Sequence, residues 1–252
     1  MKGFLEEYGT IIVVVAVILL MLLFGKTGYA KSIQNAILGS ADHIVETGEN
    51  ITKEEAGDIL EIEGTKYIIL ETQKNNRALV MTVSNAGPSS GGYRVFSRDS
   101  LSSRSDGQNW NTYEGSEIDN YLENEWYNNL SSTMKTAIQP TNIKQTSQYD
   151  NSSTISRHVF LPSAREVEKI VDLKDEDKSD RFLRENDGYY GEIWIRKKSD
   201  GDVGRIDILY SGYSNPNIHY GCMSGSTFYV RPAFVIDLSK VDYKVAGHTD
   251  YK

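Results

Sequence analysis

Residues 59–83, ILEIEGTKYIILETQKNNRALVMTV, carry the clearest fold signal in the polar part of this chain. It holds three short runs rich in β-branched and aromatic residues, at residues 59–62, 66–72 and 78–83. Gly64 and Thr65 separate the first two runs, and Asn75 and Asn76 separate the last two. Because such residues are typical of tight hairpin turns, the pattern predicts an antiparallel β-meander.

Outward from the meander, the sequence predicts a few helices among further short strands. Ser116 is a suitable N-cap, and apolar residues then recur every four positions, which predicts a helix over residues 116–130 whose stripe is core. A second short helix is predicted over residues 132–138. Ser163 and Glu166 form a capping-box pattern that opens a helix to about residue 171. The stripe consists of Ile118, Leu122, Trp126 and Leu130.

The remaining β-rich runs indicate an α+β domain with a mostly antiparallel sheet. Charged residues are dense at residues 174–184, which we interpret as a solvated loop or helix face. Residues 210–226 are predicted to be a long irregular loop. The predicted strands cover residues 93–96, 159–161, 192–196, 205–209 and 227–237.

An apolar segment near the start of the chain contrasts with everything after it. Residues 11–24 are 14 consecutive apolar residues, and Glu6 and Glu7 precede them. A spanning helix needs about 20 apolar residues, so the segment is short for a span. An amphipathic pattern at Ile33, Ile37, Ala41 and Ile44 extends the predicted helix over residues 1–47.

Three interpretations of this N-terminal helix stay open. It is a membrane anchor through residues 8–24, a cleaved signal peptide, or a pilin-like assembly helix. Lys2 to Tyr8 resembles the start of small Flp-type (type IVb) pilins. The resemblance implies that Glu6, Glu7 and Tyr8 serve assembly, with a homo-oligomer formed through this helix.

Composition excludes several classes of function. The net charge of −8 argues against a nucleic-acid partner, because such proteins carry basic patches. Cys222 is the only cysteine of the 252 residues, so neither an intrachain disulfide nor a thiolate metal cluster can form. The histidines show no paired spacing, and the sequence has no phosphate loop or nucleophile elbow. We therefore predict no metal, no cofactor and no catalysis.

The predicted loop over residues 210–226 is the main candidate for binding. It is rich in Tyr, Asn, Ser and Gly, and such residues combine large contact area with adaptable hydrogen bonds. The alternative is a structural loop whose tyrosines pack on the domain itself.

Three motifs, at residues 114–128, 160–166 and 230–237, together resemble a bacterial domain of unknown function related to the C-type lectin-like fold of formylglycine-generating enzymes. The resemblance implies an α+β domain with a twisted antiparallel sheet and two main helices. It also implies a ligand surface in the segment before the final Arg231-Pro232 strand, and the residues it favours for binding are Tyr210, Tyr213, Asn215, Asn217, His219 and Tyr220.

The predicted organisation is thus an N-terminal helix over residues 1–47, a linker over 48–58, a lectin-like domain over 59–243 and a polar tail over 244–252. The expected function is cell-surface binding of a protein or glycan, with the domain outside the cell membrane. A filament subunit that displays this lectin-like domain, called the head below, is the first alternative. An enzyme of the formylglycine-generating type is the second, and the single Cys222 speaks against it, because those enzymes rely on paired cysteines.

Overall fold

A computed structural model describes residues 53–85, 93–96, 112–144, 154–184, 192–198, 205–209, 218–223, 226–249 and 251–252. These residues belong to a compact unit spanning residues 51–252. The predicted N-terminal helix, with Glu6, Glu7 and Tyr8, lies outside the described residues. None of the helices within the described ranges has the length and apolar character needed to cross a membrane.

Thirteen strands occur among the described residues. In chain order they are β1 Asp58–Ile62, β2 Thr65–Gln73, β3 Arg77–Thr82, β4 Tyr93–Val95, β5 Ile138–Gln139, β6 Thr141–Lys144, β7 Thr154–Arg157, β8 Ile193–Lys198, β9 Arg205–Leu209, β10 Ile218–Met223, β11 Thr227–Tyr229, β12 Ala233–Asp237 and β13 Tyr243–His248.

Helices are few and short in the part of the chain that is described. They are α1 Glu117–Asn120, α2 Ser132–Ala137, α3 Ala164–Val167 and α4 Glu176–Arg184, with a 3-10 turn at Leu238–Lys240. The chain after α1 continues as a π-helical segment, Tyr121–Trp126, and a 3-10 turn, Tyr127–Asn129. The α+β prediction is confirmed, and sheet predominates.

The strands form a six-stranded sheet in the order β13-β1-β2-β3-β12-β5, a five-stranded sheet in the order β10-β9-β8-β11-β4, and the pair β6-β7. The predicted meander is confirmed, since β1, β2 and β3 pair antiparallel in sequence order. Glu63 and Gly64, then Asn75 and Asn76, have positive φ at the two turns. This conformation suits Gly and Asn and matches the right-handed twist of the flanking strands.

Core residues come from both larger sheets and from the helix that starts at Glu117. Leu70, Val80, Phe234 and Trp194 are fully buried strand residues. The predicted helix stripe is confirmed as core: Ile118 and Leu122 are fully buried, while Trp126 and Leu130 are partly buried against the cluster. The indole of Trp126 contacts the Phe234 ring at a centroid distance of 5.9 Å.

The structure corrects several local predictions. Residues 218–223 are strand β10 rather than loop, because their backbone pairs with β9. Residues 159–161 make only an isolated bridge, between Phe160 and Ala233. The helix opened by Ser163 ends at Val167, earlier than predicted. In the charge-dense stretch 174–184, residues 176–184 form helix α4, and its Phe182 and Leu183 side chains are buried.

The segment 244–252, predicted as a polar tail, belongs to the fold. Strand β13 pairs antiparallel with β1, and the Tyr251 side chain is buried. Most β13 side chains are exposed, so its sequence lacks the apolar alternation of a half-buried strand. Backbone pairing with β1 holds this strand in place, together with side-chain contacts such as the hydrogen bond from the Tyr243 hydroxyl to Glu54.

Candidate functional site

The predicted binding residues divide into two groups. Tyr210, Tyr213, Asn215 and Asn217 lie outside the described residues. His219 and Tyr220 lie on β10, which is the edge strand of the five-stranded sheet among the described strands. The structure therefore places two of the six predicted binding residues on a sheet edge.

Strand β10 is held in register by β9. Ile218 lies opposite Leu209, and His219 lies opposite Ile208. The register shifts between His219 and Cys222, so a bulge or irregularity falls at Tyr220 and Gly221. Bulges are frequent at sheet edges and next to binding sites, because they redirect side chains and interrupt pairing.

The next two strands of the same sheet, β9 and β8, contribute buried side chains to the core. Ile206, Ile208 and Leu209 of β9 and Trp194 of β8 are buried. The Trp194 indole N–H donates to the Arg94 carbonyl oxygen at 2.7 Å, and its ring meets Phe228 edge-to-face at 4.7 Å. Binding segments commonly lie on rigid elements of this kind, because the scaffold fixes where the segment begins and ends.

A separate polar cluster connects the helix to the end of β7. The Glu123 carboxylate accepts hydrogen bonds from the His158 and Val159 backbone N–H groups at 2.9 and 3.3 Å. Its other oxygen lies 2.7 Å from His158 Nδ1, and the Tyr127 ring stacks on the imidazole at 4.5 Å. Burial, with a smaller contribution from the Glu123 charge, raises the pKa of Tyr127.

One helical turn earlier, Asp119 holds Arg157 by two hydrogen bonds. Arg157 Nε and Nη2 each lie 2.8 Å from an Asp119 oxygen, and the Gly115 N–H donates to the same carboxylate. The hydrogen bonds that Arg157 donates to the Asp119 carboxylate raise the pKa of its guanidinium. Since both carboxylates hold backbone or side-chain groups of residues 157–159, the cluster fastens helix to strand.

The residues that carried the resemblance meet around β12 and serve the fold. Phe160 and Ala233 exchange backbone hydrogen bonds at 2.9 and 2.8 Å. Arg231, which is 1% exposed, donates to the Phe182 and Leu183 carbonyl oxygens at 3.3 and 3.0 Å. The arginine thereby fixes the end of α4 to the strand, so its role in the motif is structural.

A small cavity lies beside Arg231. Its volume is about 130 Å³, and its walls include Ile59, Ile68, Phe182 and Tyr251. Sites for drug-sized ligands occupy roughly 300–1,000 Å³, so this cavity is too small for such a ligand. Among the described residues, the β10 edge stays the candidate binding site.

Residues 75–238 match the domain of unknown function DUF6273, and the chain belongs to that family. No curated protein and no solved structure matches the chain.

Proposed function

We propose that this DUF6273 protein is a binding protein without catalysis, displayed at the cell surface, whose recognition segment is residues 210–226. The observation that carries the proposal is the position of β10. In sequence, the Tyr- and Asn-rich residues 210–217 directly precede β10, the edge strand that pairs with β9.

An edge strand offers unpaired backbone N–H and C=O groups, which an extended peptide can pair with as an added strand. The Tyr and Asn side chains of residues 210–220 are of the kinds that supply contact area and hydrogen bonds, which also suit a glycan. The sheet edge favours a protein ligand over a glycan, because only a peptide has a backbone that continues the ladder.

We further propose that the head has the C-type lectin-like fold. The motif resemblance and the α+β architecture support this assignment, since its sheets are antiparallel except where β8 and β11 pair parallel. An experimental structure of the whole chain tests it: helices and long segments gathered at one end of a twisted sheet are expected, and a sandwich of two parallel-aligned sheets would contradict it.

The N-terminal helix is proposed to anchor the protein in the cell membrane through residues 8–24, with the head outside. Protease added to intact cells should then remove the head and leave the anchor behind. Protection of the head until the cells are lysed would place it on the other side of the membrane.

A filament subunit that displays the same head is the second candidate. The pilin-like start at Lys2 to Tyr8 supports it. N-terminal sequencing of the mature chain and electron microscopy of the cell surface separate it from the first: a cut after Gly3 with fibres supports it, and an intact Met1 without fibres removes it.

Recognition by residues 210–226 is tested with the full chain in mild detergent. A displayed peptide library and a glycan array serve as probes. The triple variant Tyr213→Ala, Asn217→Ala, Tyr220→Ala should lose capture of the selected probe by more than about tenfold, as for the loss of several contact residues. Its thermal unfolding should stay unchanged.

The matched control removes exposed polar side chains elsewhere. Asn124 and Asn129 are exposed helix residues far from this segment in sequence, and their double alanine variant should capture as well as the unmodified chain. Capture that survives the triple variant would refute the proposed site, and selection of glycans alone would refute the peptide preference.

A further inference from the structure

The first and last elements of the head bring three metal-binding side chains together. Glu55 and Asp58 lie at the start of the head, and His248 ends β13. Their ligand atoms all lie within 4.8 Å of one another. Asp58 and His248 are 190 positions apart in sequence, which is why the spacing of the histidines alone predicted no metal site.

Backbone pairing fixes this meeting point. Asp58 and His248 are directly opposite each other in the β1–β13 ladder, so their side chains share one face of the sheet. His248 Nδ1 lies 2.8 Å from Asp58 Oδ1. The second Asp58 oxygen accepts the Glu55 N–H at 2.9 Å, which ties Glu55 to the same corner.

Gly57 allows the close approach of the two ends. It has φ of +99°, and a Cβ there would lie 2.7 Å from the Thr249 carbonyl oxygen and 3.1 Å from His248 Cε1. Thr249 N–H and Oγ1 both donate to the Gly57 carbonyl oxygen, at 2.9 and 3.0 Å. The lack of a side chain at Gly57 thus lets the end of β13 lie close to the turn that carries Glu55 and Asp58.

We infer that Glu55, Asp58 and His248 bind a divalent transition-metal ion, with Zn²⁺ as the best fit. One imidazole nitrogen and two carboxylate oxygens form the three-ligand set that Zn²⁺ accepts, with water in the fourth position. Ca²⁺ takes six to eight oxygen ligands, and imidazole suits Zn²⁺ better than Ca²⁺ or Mg²⁺.

The side chains have the freedom that metal entry requires. Ligand atoms around tetrahedral Zn²⁺ at about 2.0–2.1 Å stand roughly 3.3 Å apart, so the His248–Asp58 hydrogen bond must open by about half an ångström. Glu55 is exposed and the His248 side chain is 45% exposed, so both can move. Asp58, at 15%, stays fixed by the Glu55 N–H.

An ion at this position would connect the start of β1 to the end of β13. Because the site exists only when β1 and β13 are paired, the ion binds the folded state and stabilises it by mass action. The inference is independent of the proposed binding function, since it uses neither residues 210–226 nor a partner.

Calorimetric titration of the full chain with ZnCl2, after dialysis against a chelator, tests the site. One Zn²⁺ per chain is expected, with a rise in the unfolding temperature that saturates with the metal and persists in excess Mg²⁺. The variants Glu55→Gln, Asp58→Asn and His248→Gln should each weaken binding by at least about tenfold.

His158→Gln is the matched control, because His158 contacts a single carboxylate, Glu123, at 2.7 Å. Its Zn²⁺ affinity should equal that of the unmodified chain. Glu55→Gln alters an exposed side chain and should fold normally, so it decides the result if the other variants do not fold. Absence of binding at 100 µM ZnCl2, or binding that survives Glu55→Gln and His248→Gln, would overturn the inference.

Discussion

Asp119 and Glu123 lie one turn apart on the helix that starts at Glu117, and together they hold residues 157–159. This acidic pair lies one position along from the apolar stripe that begins at Ile118. Its partners Arg157 and His158 follow 38 and 35 positions later, so the two contacts join distant parts of the chain. The acidic pair therefore fixes this helix to the end of β7.

Replacement of Asp119 by Asn should destabilise the fold. Asp119 is 1% exposed, and the change leaves the Arg157 guanidinium without its counter-charge. Breaking a fully buried pair costs about 3–5 kcal/mol. Because 19% of the Arg157 side chain is exposed, we expect the free energy of unfolding, measured in urea, to fall by about 2–3 kcal/mol. The exposed pair Glu71–Lys169 is the control, and Glu71→Gln should cost under about 1 kcal/mol. Equal losses in the two variants would contradict this account.

Tyr67 should make the protein sensitive to alkali. Burial raises the pKa of Tyr67 to about 12, above the ordinary value of 10.0. Above pH 10 the unfolded chain releases this proton while the folded chain keeps it, so the free energy of unfolding falls as pH rises and levels off above pH 12. The full loss is about 2–3 kcal/mol.

Tyr67→Phe removes this titration and keeps the edge-to-face contact with Phe234, whose ring lies at 5.4 Å. Urea unfolding from pH 8 to 11.5 should therefore show a shallower decline for the variant than for the unmodified chain. A constant difference between the two curves over this whole range would show that Tyr67 does not titrate in this way.

Local sequence signals predicted where helices begin, but some strands that depend on pairing with distant residues were not predicted. Ser116 caps its helix through the Asp119 N–H, and the box of Ser163 and Glu166 is complete. Both signals involve residues three apart, so a sequence displays them. Strand β10 was missed because its residues mix Gly, His and Cys, and only its pairing with β9 makes it a strand.

Glu166 both caps α3 and binds Arg196, so its replacement should destabilise the fold more than the replacement of Ser163. Its Oε2 accepts the Ser163 N–H and Arg196 Nη1, each at 2.7 Å, and its Oε1 accepts Arg196 Nη2. Arg196 is 5% exposed, so Glu166→Gln removes the counter-charge of a buried cation and should cost about 3–5 kcal/mol.

Ser163→Ala, in contrast, removes one capping hydrogen bond and should cost about 1 kcal/mol. Urea unfolding of the two variants measures both values under one condition. A Ser163→Ala loss equal to or above that of Glu166→Gln would mean that the capping bond, not the contact with β8, is the main role of this box.

At the scale of the whole molecule, the two ends of the head meet. The sequence predicted the meander and the α+β class, since these rest on runs of a few residues. It placed the last nine residues outside the domain, since β13 has mostly exposed side chains and its partner β1 lies near the start of the head. The candidate cation site depends on the same pairing, so the sequence could not reveal it either.

Removal of residues 243–252 should therefore unfold or strongly destabilise the head. The deletion exposes the edge of β1 and removes the Tyr251 ring, which is 3% exposed and meets Phe182 edge-to-face at 5.8 Å. Burial of such a ring contributes about 2–3 kcal/mol, and the lost strand pairing adds to it, so the unfolding temperature should fall by more than about 10 °C. Deletion of the exposed Lys252 alone is the control and should leave it within about 2 °C. Both unfolding temperatures are measured with a chelator present, so their difference reports the loss of the strand and not the loss of a bound ion. An unchanged unfolding temperature after removal of residues 243–252 would mean that β13 is dispensable for stability.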